Sequence, residues 1–238
     1  SLLGKVEKSS LSQQTLMELF VSNIEPKRYF TRDDGAFRDI SHWNSLGFDD
    51  SGAVERFEFC QAIHPGSTFL WQWLPDTVWL IDISSTGYRN DINWKSLPNT
   101  VRTLCAPFNE LFGSLHLHHL PEEIVVVFLK SNHLSGTLDF TKIPRYLVAL
   151  DVSQNIDLTP RQIDWPESSR IQLDDLSYTG KRPSDSCPFG LNLASTYIDG
   201  DILVKDVREV LSIIPFLDTI CPSIIDRNGE EINLNYNF

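Results

Sequence analysis

A Leu-Pro or Ile-Pro step recurs along this chain at a constant spacing of 23 residues. The four copies are Leu74-Pro75, Leu97-Pro98, Leu120-Pro121 and Ile143-Pro144. Regular repetition with a period between 20 and 50 residues is typical of solenoids, in which one structural unit stacks upon the next. A single unit cannot bury its apolar side alone, so the copies must share a continuous core. The spacing therefore predicts an elongated, stacked architecture.

Alignment on this step reveals further positions that repeat. Apolar residues recur four, seven and nine positions after the first residue of the step. The last two of these positions are two residues apart, as in the alternation of a strand. These residues are Val78, Ile81 and Ile83, then Val101, Leu104 and Ala106, then Ile124, Val127 and Leu129, and then Leu147, Leu150 and Val152. An asparagine follows in three copies, at Asn109, Asn132 and Asn155, with Thr86 in the first. Asparagine offers donors and acceptors, so a buried row of them can satisfy backbone groups beyond each strand.

The two middle copies continue as Asn109-Glu110-Leu111-Phe112-Gly113-Ser114-Leu115 and Asn132-His133-Leu134-Ser135-Gly136-Thr137-Leu138. The resulting pattern, Leu-x-x-Leu-x-Leu-x-x-Asn-x-Leu-x-Gly-x-Leu, resembles the leucine-rich repeat family. Its ending is most similar to the plant-type repeat, which also occurs in proteins of protists. The resemblance implies an α/β solenoid with a parallel sheet on its concave face, and it implies that the asparagines are structural.

The repeat pattern divides the chain into three segments of one structural domain: an N-terminal cap at 1–50, an array of about six turns at 51–176, and a loop with a C-terminal cap at 177–238. In the first segment, Ser10 and Gln13 predict a capping box for a helix that ends before Pro26, and Asp33-Asp34-Gly35 predicts a hairpin. In the array, Val54, Phe57 and Phe59 predict a first strand, and Ile171 and Leu173 a last one. A loop at 177–200 precedes a helix predicted from Asp201 to Ile214, and Asn228-Gly229 predicts a hairpin turn.

Charge and apolar content exclude several classes of partner. The chain has 32 acidic and 20 basic residues and a net charge of −12, so its surface repels nucleic acid phosphates and anionic lipids. No apolar run approaches the roughly 20 residues that a membrane-spanning helix needs. These features predict neither nucleic acid binding nor a membrane span.

The cysteines bear on the cellular compartment. Cys60 and Cys105, if placed two strands apart, would lie about 10 Å from each other, too far for a disulfide. Cys187 and Cys221 could pair only if the C-terminal segment folds back. Phe48 stands where the plant-type family usually has a disulfide cysteine. With no Asn-x-Ser/Thr acceptor site and no signal-peptide core, the sequence favours an intracellular, cytoplasmic protein, with a secreted or surface protein as the alternative.

Strand alternation predicts which residues face outward from the sheet. An apolar strip with acidic residues at its sides is expected on the concave face, where aromatic anchors could dominate partner binding. The alternative is that the strip is covered by the 177–200 loop or a C-terminal tail, or partly buried between adjacent turns. The candidate contact residues for a protein or peptide with apolar and basic side chains are Trp79, Leu80, Asp82, Arg102, Thr103, Val125, Val126, Phe128, Val148 and Asp151.

Three histidines, His116, His118 and His119, form the one cluster that suggests chemistry. Alternation places His116 and His118 on one side, where two imidazoles could begin a zinc or copper site, while His119 is expected to face elsewhere. No acidic residue falls within the segment, and a metal site needs three or four ligands, so solvated histidines are favoured and no cofactor is predicted. The motifs of hydrolases, nucleotide-binding proteins and zinc proteases are also missing.

Three functions follow, in order of preference. The first is a non-enzymatic scaffold inside the cell that binds a protein or peptide on the concave face. The second is a secreted or surface receptor-like recognition protein, which the plant-type repeat favours. The third is a metal-binding protein or enzyme that uses the His116–His119 cluster.

Overall fold

The computed structural model describes residues 7–136, 144, 146–147 and 149–158, together with four short strands nearer the C-terminus. Its main feature is a seven-stranded sheet, whose strands are β1 (Leu46–Phe48), β2 (Val54–Glu58), β3 (Leu80–Asp82), β4 (Thr103–Cys105), β6 (Val126–Phe128), β8 (Ala149–Asp151) and β10 (Leu191–Asn192). They lie side by side in that order. Strand β1 pairs with β2 antiparallel, and the other neighbours pair parallel.

Two smaller sheets complete the described strands. Strands β5 (Phe112–Ser114), β7 (His133–Gly136) and β9 (Asp157–Leu158) form a parallel sheet, and the third sheet contains β11 (Ile202–Val204), β12 (Ile224–Asp226) and β13 (Glu231–Ile232). Short 3₁₀ turns at Trp71–Trp73, Trp94–Ser96 and Leu117–His119 each end directly before a Leu-Pro step. The chain therefore folds as a parallel-sheet solenoid.

The strand register places equivalent residues of successive copies side by side. Ile81, Leu104, Val127 and Leu150 are paired in that order, and all four are buried. With Val78, Val101 and Ile124 they form the core of the solenoid, as the apolar spacing predicts. Because the side-chain period of a strand is two, a shift by one residue would have exposed the whole apolar set.

The asparagine row is buried and fully bonded. In Asn132 the Oδ1 atom accepts from the Leu111 backbone N–H at 3.0 Å, and Nδ2 donates to the carbonyls of Ala106 and Leu129, both at 2.9 Å. Asn155 repeats this arrangement one turn later, as does Asn109 with slightly different partners. Each amide thus bridges two consecutive turns where the backbone leaves the strand, which is the structural role predicted for it.

The glycine of the repeat is required by its backbone conformation. Gly113 has a φ of +87° and Gly136 a φ of +82°, a region in which side chains are strained. A Cβ on Gly113 would lie 2.8 Å from Oδ1 of Asp91, and one on Gly136 would lie 2.7 Å from Oγ of Ser114, so these side-chain ends would also have to move. The positive φ therefore explains the glycine of the Leu-x-Gly-x-Leu pattern.

Helix α1 (Gln13–Phe20) lies in the predicted segment, but its N-cap differs. Ser12, and not Ser10, accepts a hydrogen bond from the Thr15 backbone N–H at 3.2 Å. The predicted capping box is wrong because the Gln13 amide is used elsewhere: its Oε1 accepts from the Val54 N–H, and its Nε2 donates to the Gly52 carbonyl. Gln13 thereby fastens the start of α1 to the start of β2.

The segment around Asp33-Asp34-Gly35 reverses the chain as predicted. An antiparallel bridge joins Thr31 to Phe37, and Gly35 adopts a φ of +83° in the turn between them. Arg38 then returns along Phe30, to whose carbonyl its backbone N–H donates at 2.9 Å. This reversal places Arg38 next to the main sheet.

Beyond residue 158 the structure corrects two predictions. Strand β10, at 191–192, pairs with β8, and the predicted last strand at Ile171 and Leu173 lies outside the described residues. Part of the predicted 177–200 loop is therefore a strand. Residues 202–204 form β11 where a helix was predicted, because a short run of branched apolar residues suits either structure. Strands β12 and β13 pair antiparallel on either side of Asn228-Gly229.

Candidate functional site

One face of the main sheet presents three parallel rows of residues. We call Trp79, Arg102 and Val125 the first row, Leu80, Thr103 and Val126 the middle row, and Asp82, Cys105 and Phe128 the last row. Strand register defines the middle and last rows. Backbone bonds define the first, since Arg102 N–H donates to the Trp79 carbonyl and Val125 N–H to the Arg102 carbonyl, both at 2.8 Å. Val148, the next predicted contact residue, lies outside the described part of the chain.

The middle row is buried, which corrects the predicted exposed strip. Leu80 is 8% exposed, Thr103 6% and Val126 2%. Each residue of the middle row lies about 4.8 Å from its neighbours on the adjacent strands. Because the first and last rows flank it, little of its surface is accessible to solvent. The alternation of the sequence thus indicated the direction of these side chains but not their depth. The exposed candidates are confined to the two flanking rows.

The aspartates of the sheet have a structural task at the strand ends. Asp82 accepts a hydrogen bond from the Ser84 backbone N–H at 2.9 Å, and Asp151 accepts one from Ser153 N–H at 3.0 Å. Such contacts two residues ahead are typical of Asx turns. Asp151 is also buried, so the prediction that it forms part of an open contact surface is wrong.

Two glutamates contact the side chains of the first row. The Trp79 Nε1 donates to Oε2 of Glu55 at 3.2 Å, and the Arg102 guanidinium lies 3.7 Å from Oε2 of Glu123. All three side chains of this row are half-buried. The row therefore offers an indole, a cation and a branched apolar group on consecutive turns.

The three histidine rings lie closer together than the alternation predicted. The ring centroids of His118 and His119 are 4.0 Å apart, and His116 lies 5.7 Å from His118 and 5.2 Å from His119. His119 does not face elsewhere, because the segment forms a 3₁₀ turn and not a strand. Partial burial and the neighbouring His118 lower the pKa of His119. Within the described ranges, no group of three or more potential ligands is arranged to hold a metal ion.

In the described part of the chain, Cys60 and Cys105 form no disulfide with each other, in agreement with their predicted separation. The Cys60 Sγ lies 3.8 Å from Oδ1 of Asp82. Burial, and then the negative charge of Asp82, raise the pKa of the Cys60 thiol, so Cys60 is protonated at neutral pH. Cys187 and Cys221 lie outside the residues that the structure describes.

A pocket that the sequence did not indicate opens beside β1 and the end of β2. Its volume is about 320 Å³, and it is formed by residues 28–30, by residues between Arg38 and Ser45 that precede β1, and by residues 58–61 at the end of β2. The lining residues are Arg28, Tyr29, Phe30, Arg38, His42, Asn44, Ser45, Glu58, Phe59, Cys60 and Gln61. These residues come from three separate segments, and no spacing in the sequence relates them.

Comparison with known proteins supports the fold but assigns no family. No family model matches the sequence, and no curated protein matches it. Among solved structures, one described as pollen receptor kinase 3 is similar with a TM-score of 0.58 and 16% identity, over 79% of this chain and 85% of that one. The BIR2 ectodomain from Arabidopsis thaliana is similar with a TM-score of 0.50 and 17% identity, over 64% of this chain and 83% of that one.

At such low identity these likenesses show a common fold and nothing further. They agree with the parallel sheet, the stacked turns and the repeat pattern described above. No helix in the described ranges is both long and apolar enough to cross a bilayer.

Proposed function

We propose that this chain is a non-enzymatic recognition module that binds a protein or peptide along the concave side of its main sheet. The observation that supports this proposal is that Trp79, Arg102, Val125 and Phe128 are half-buried side chains on three consecutive turns. Backbone hydrogen bonds align the first three, and strand register places Phe128 beside them. Tryptophan and arginine are the residues most often found at binding hot spots, and a rigid sheet limits the entropy lost when they are covered.

The proposed partner is an extended segment with apolar and basic side chains. Apolar groups would pack against Trp79, Val125 and Phe128. Basic groups would face the carboxylates of Glu55 and Glu123, in a protein whose net charge is −12. Opposite charge raises the rate of encounter and helps to fix the register of such a segment.

The test is a paired substitution in the two flanking rows. A partner identified by affinity purification and mass spectrometry is titrated with the wild-type chain and with Trp79→Ala/Phe128→Ala. We expect binding to weaken by about 2 kcal/mol or more, as at aromatic hot spots. The control is Phe112→Ala, which removes an exposed ring from the second sheet. Equal affinity of the double variant and the control would refute the concave surface as the binding site.

A receptor-like recognition protein at the cell surface or outside the cell is the second candidate. It is favoured by the two comparison structures, described as a receptor kinase and as an ectodomain. An intracellular location is proposed in preference, on the grounds that Cys60 and Cys105 form no disulfide with each other and that the sequence contains no glycosylation acceptor site.

A count of free thiols separates the two locations. The chain has four cysteines, and we expect all four to react with a thiol reagent after denaturation without a reductant. Protein isolated from its native source is required, because the compartment decides the oxidation state. A count of two would indicate a Cys187–Cys221 bridge and would favour the extracellular candidate.

A further inference from the structure

The geometry points to a second binding site, a carboxylate pocket beside β1 that is separate from the proposed concave surface. Its two arginines come from either side of the chain reversal between Phe30 and Phe37. In the described part of the chain, neither Arg28 nor Arg38 has a carboxylate within ion-pair distance. The lining thus holds two cations and one carboxylate, that of Glu58, in a protein with a net charge of −12.

Arg38 is held rigidly by the backbone it supports. Its Nη2 donates to the carbonyls of Arg28 at 2.6 Å and Tyr29 at 2.9 Å, and its own carbonyl accepts from Nε1 of Trp43 at 3.0 Å. Its Nε is buried without a hydrogen-bond partner. Because this guanidinium is already fixed in the pocket wall, little side-chain entropy of Arg38 is lost when a ligand binds to it.

Arg28 supplies the movable cation. Its side chain is exposed, and its guanidinium carbon lies 5.3 Å from the centroid of the Tyr29 ring. The Tyr29 hydroxyl donates to the Ala62 carbonyl at 3.0 Å, which fixes the ring at the pocket wall. Arg28 can therefore swing from the face of Tyr29 toward an anion without disturbing a hydrogen bond of its own.

The charges of the lining residues favour a monoanion. Two arginines oppose the single carboxylate of Glu58, so the arginine and glutamate charges of the lining sum to one net positive charge. Glu58 would repel a dianion such as phosphate more strongly than a monoanion, and a carboxylate matches the planar donors of arginine. A volume of about 320 Å³ admits a small organic acid or the carboxyl terminus of a peptide.

The test measures the binding of two carboxylates, benzoate and the peptide-like probe N-acetylglycine. N-acetylglycinamide and inorganic phosphate serve as comparisons. Binding is followed by amide chemical shifts and by protection of Cys60, which lines the pocket, from slow alkylation measured on its peptide. We expect at least one carboxylate to saturate and to protect Cys60, and the neutral amide to have no effect. Saturation by N-acetylglycine alone would identify a chain terminus as the source of the carboxylate, and saturation by benzoate a small acid.

Variants of the exposed arginines provide the decisive comparison. Arg28→Gln should weaken carboxylate binding about tenfold, the loss expected for one charge-assisted hydrogen-bonded pair, and Arg28→Lys should fall between it and the wild type. Arg32→Gln is the matched control, because Arg32 lies in the same reversal and pairs with Asp34 at 3.4 Å, outside the pocket. The proposal is overturned if no carboxylate saturates, if phosphate binds as tightly, or if Arg28→Gln and Arg32→Gln bind alike.

Discussion

Replacement of Asn132 by alanine is expected to lower the free energy of unfolding by about 2–4 kcal/mol. The substitution removes an amide that is 4% exposed and leaves the buried Leu111 N–H without its partner. It also removes one of the two amide donors to each of the carbonyls of Ala106 and Leu129, which keep the bonds from Asn109 and Asn155. An unsatisfied buried polar group costs about 1–3 kcal/mol, and water cannot enter the close-packed turns without separating them. Urea denaturation followed by circular dichroism measures the loss.

Asn93→Ala is the matched control for this prediction. Asn93 is exposed, and its side chain forms no cap hydrogen bond at the 3₁₀ turn that follows. Its replacement should change the free energy of unfolding by no more than about 0.5 kcal/mol, as is usual for surface substitutions. If the two alanine variants unfolded at the same urea concentration, the asparagine row would not be a stabilising element.

The repeat spacing alone predicts the register of the sheet. Apolar residues such as Ile81, Leu104 and Val127 recur at a constant interval because each must fill the same layer of the core, so their alignment in the sequence becomes their alignment in space. The row of Asn109, Asn132 and Asn155 is predictable for the same reason. Residues that contact their equivalents in the adjacent turns can therefore be predicted from the sequence.

Features that depend on depth or on distant contacts are not predictable in this way. The burial of Leu80 and Val126 depends on how far the side chains of the flanking rows extend from the sheet. The periodicity of the sequence does not report that distance. Ser10 and Gln13 match the local capping pattern, but the Gln13 amide bonds to Gly52 and Val54 across the fold.

Two further features of the structure leave no usable signal in the sequence. The residues Ser85, Phe108, Ser131 and Gln154 occupy one equivalent position and share a φ between +54° and +58°, although their chemistry differs. The backbone path, and not the residue type, imposes this conformation. The pocket arginines, Arg28 and Arg38, likewise meet only because the chain reverses between them.

The N-terminal helix is joined to the solenoid by a cluster of aromatic rings. The ring of Phe20, on α1, lies 5.0 Å from that of Phe57, 5.1 Å from that of Phe69 and 5.5 Å from that of Trp71, measured between centroids. Phe20 is completely buried, and the rings around it belong to β2 and to the segment that leads to the first Leu-Pro step. Its side chain is thus the main apolar contact between α1 and the first turn.

Phe20→Ala is therefore expected to destabilise the chain by about 3–5 kcal/mol, the range for large-to-alanine changes in a packed core. The loss combines the transfer energy of the ring with a cavity that the rigid neighbours Phe57 and Trp71 cannot close. Phe112→Ala serves as the control, because Phe112 is 46% exposed and its removal leaves no cavity in the core.

The same experiment tests how far the helix is coupled to the array. In a stacked protein the energy of an end unit reaches the rest through its interface with the next unit. If Phe20 joins α1 to a single cooperative core, Phe20→Ala will shift the whole urea transition and preserve its steepness. A separate early transition, with the main one unmoved, would show that α1 unfolds independently and that the aromatic cluster stabilises only the helix.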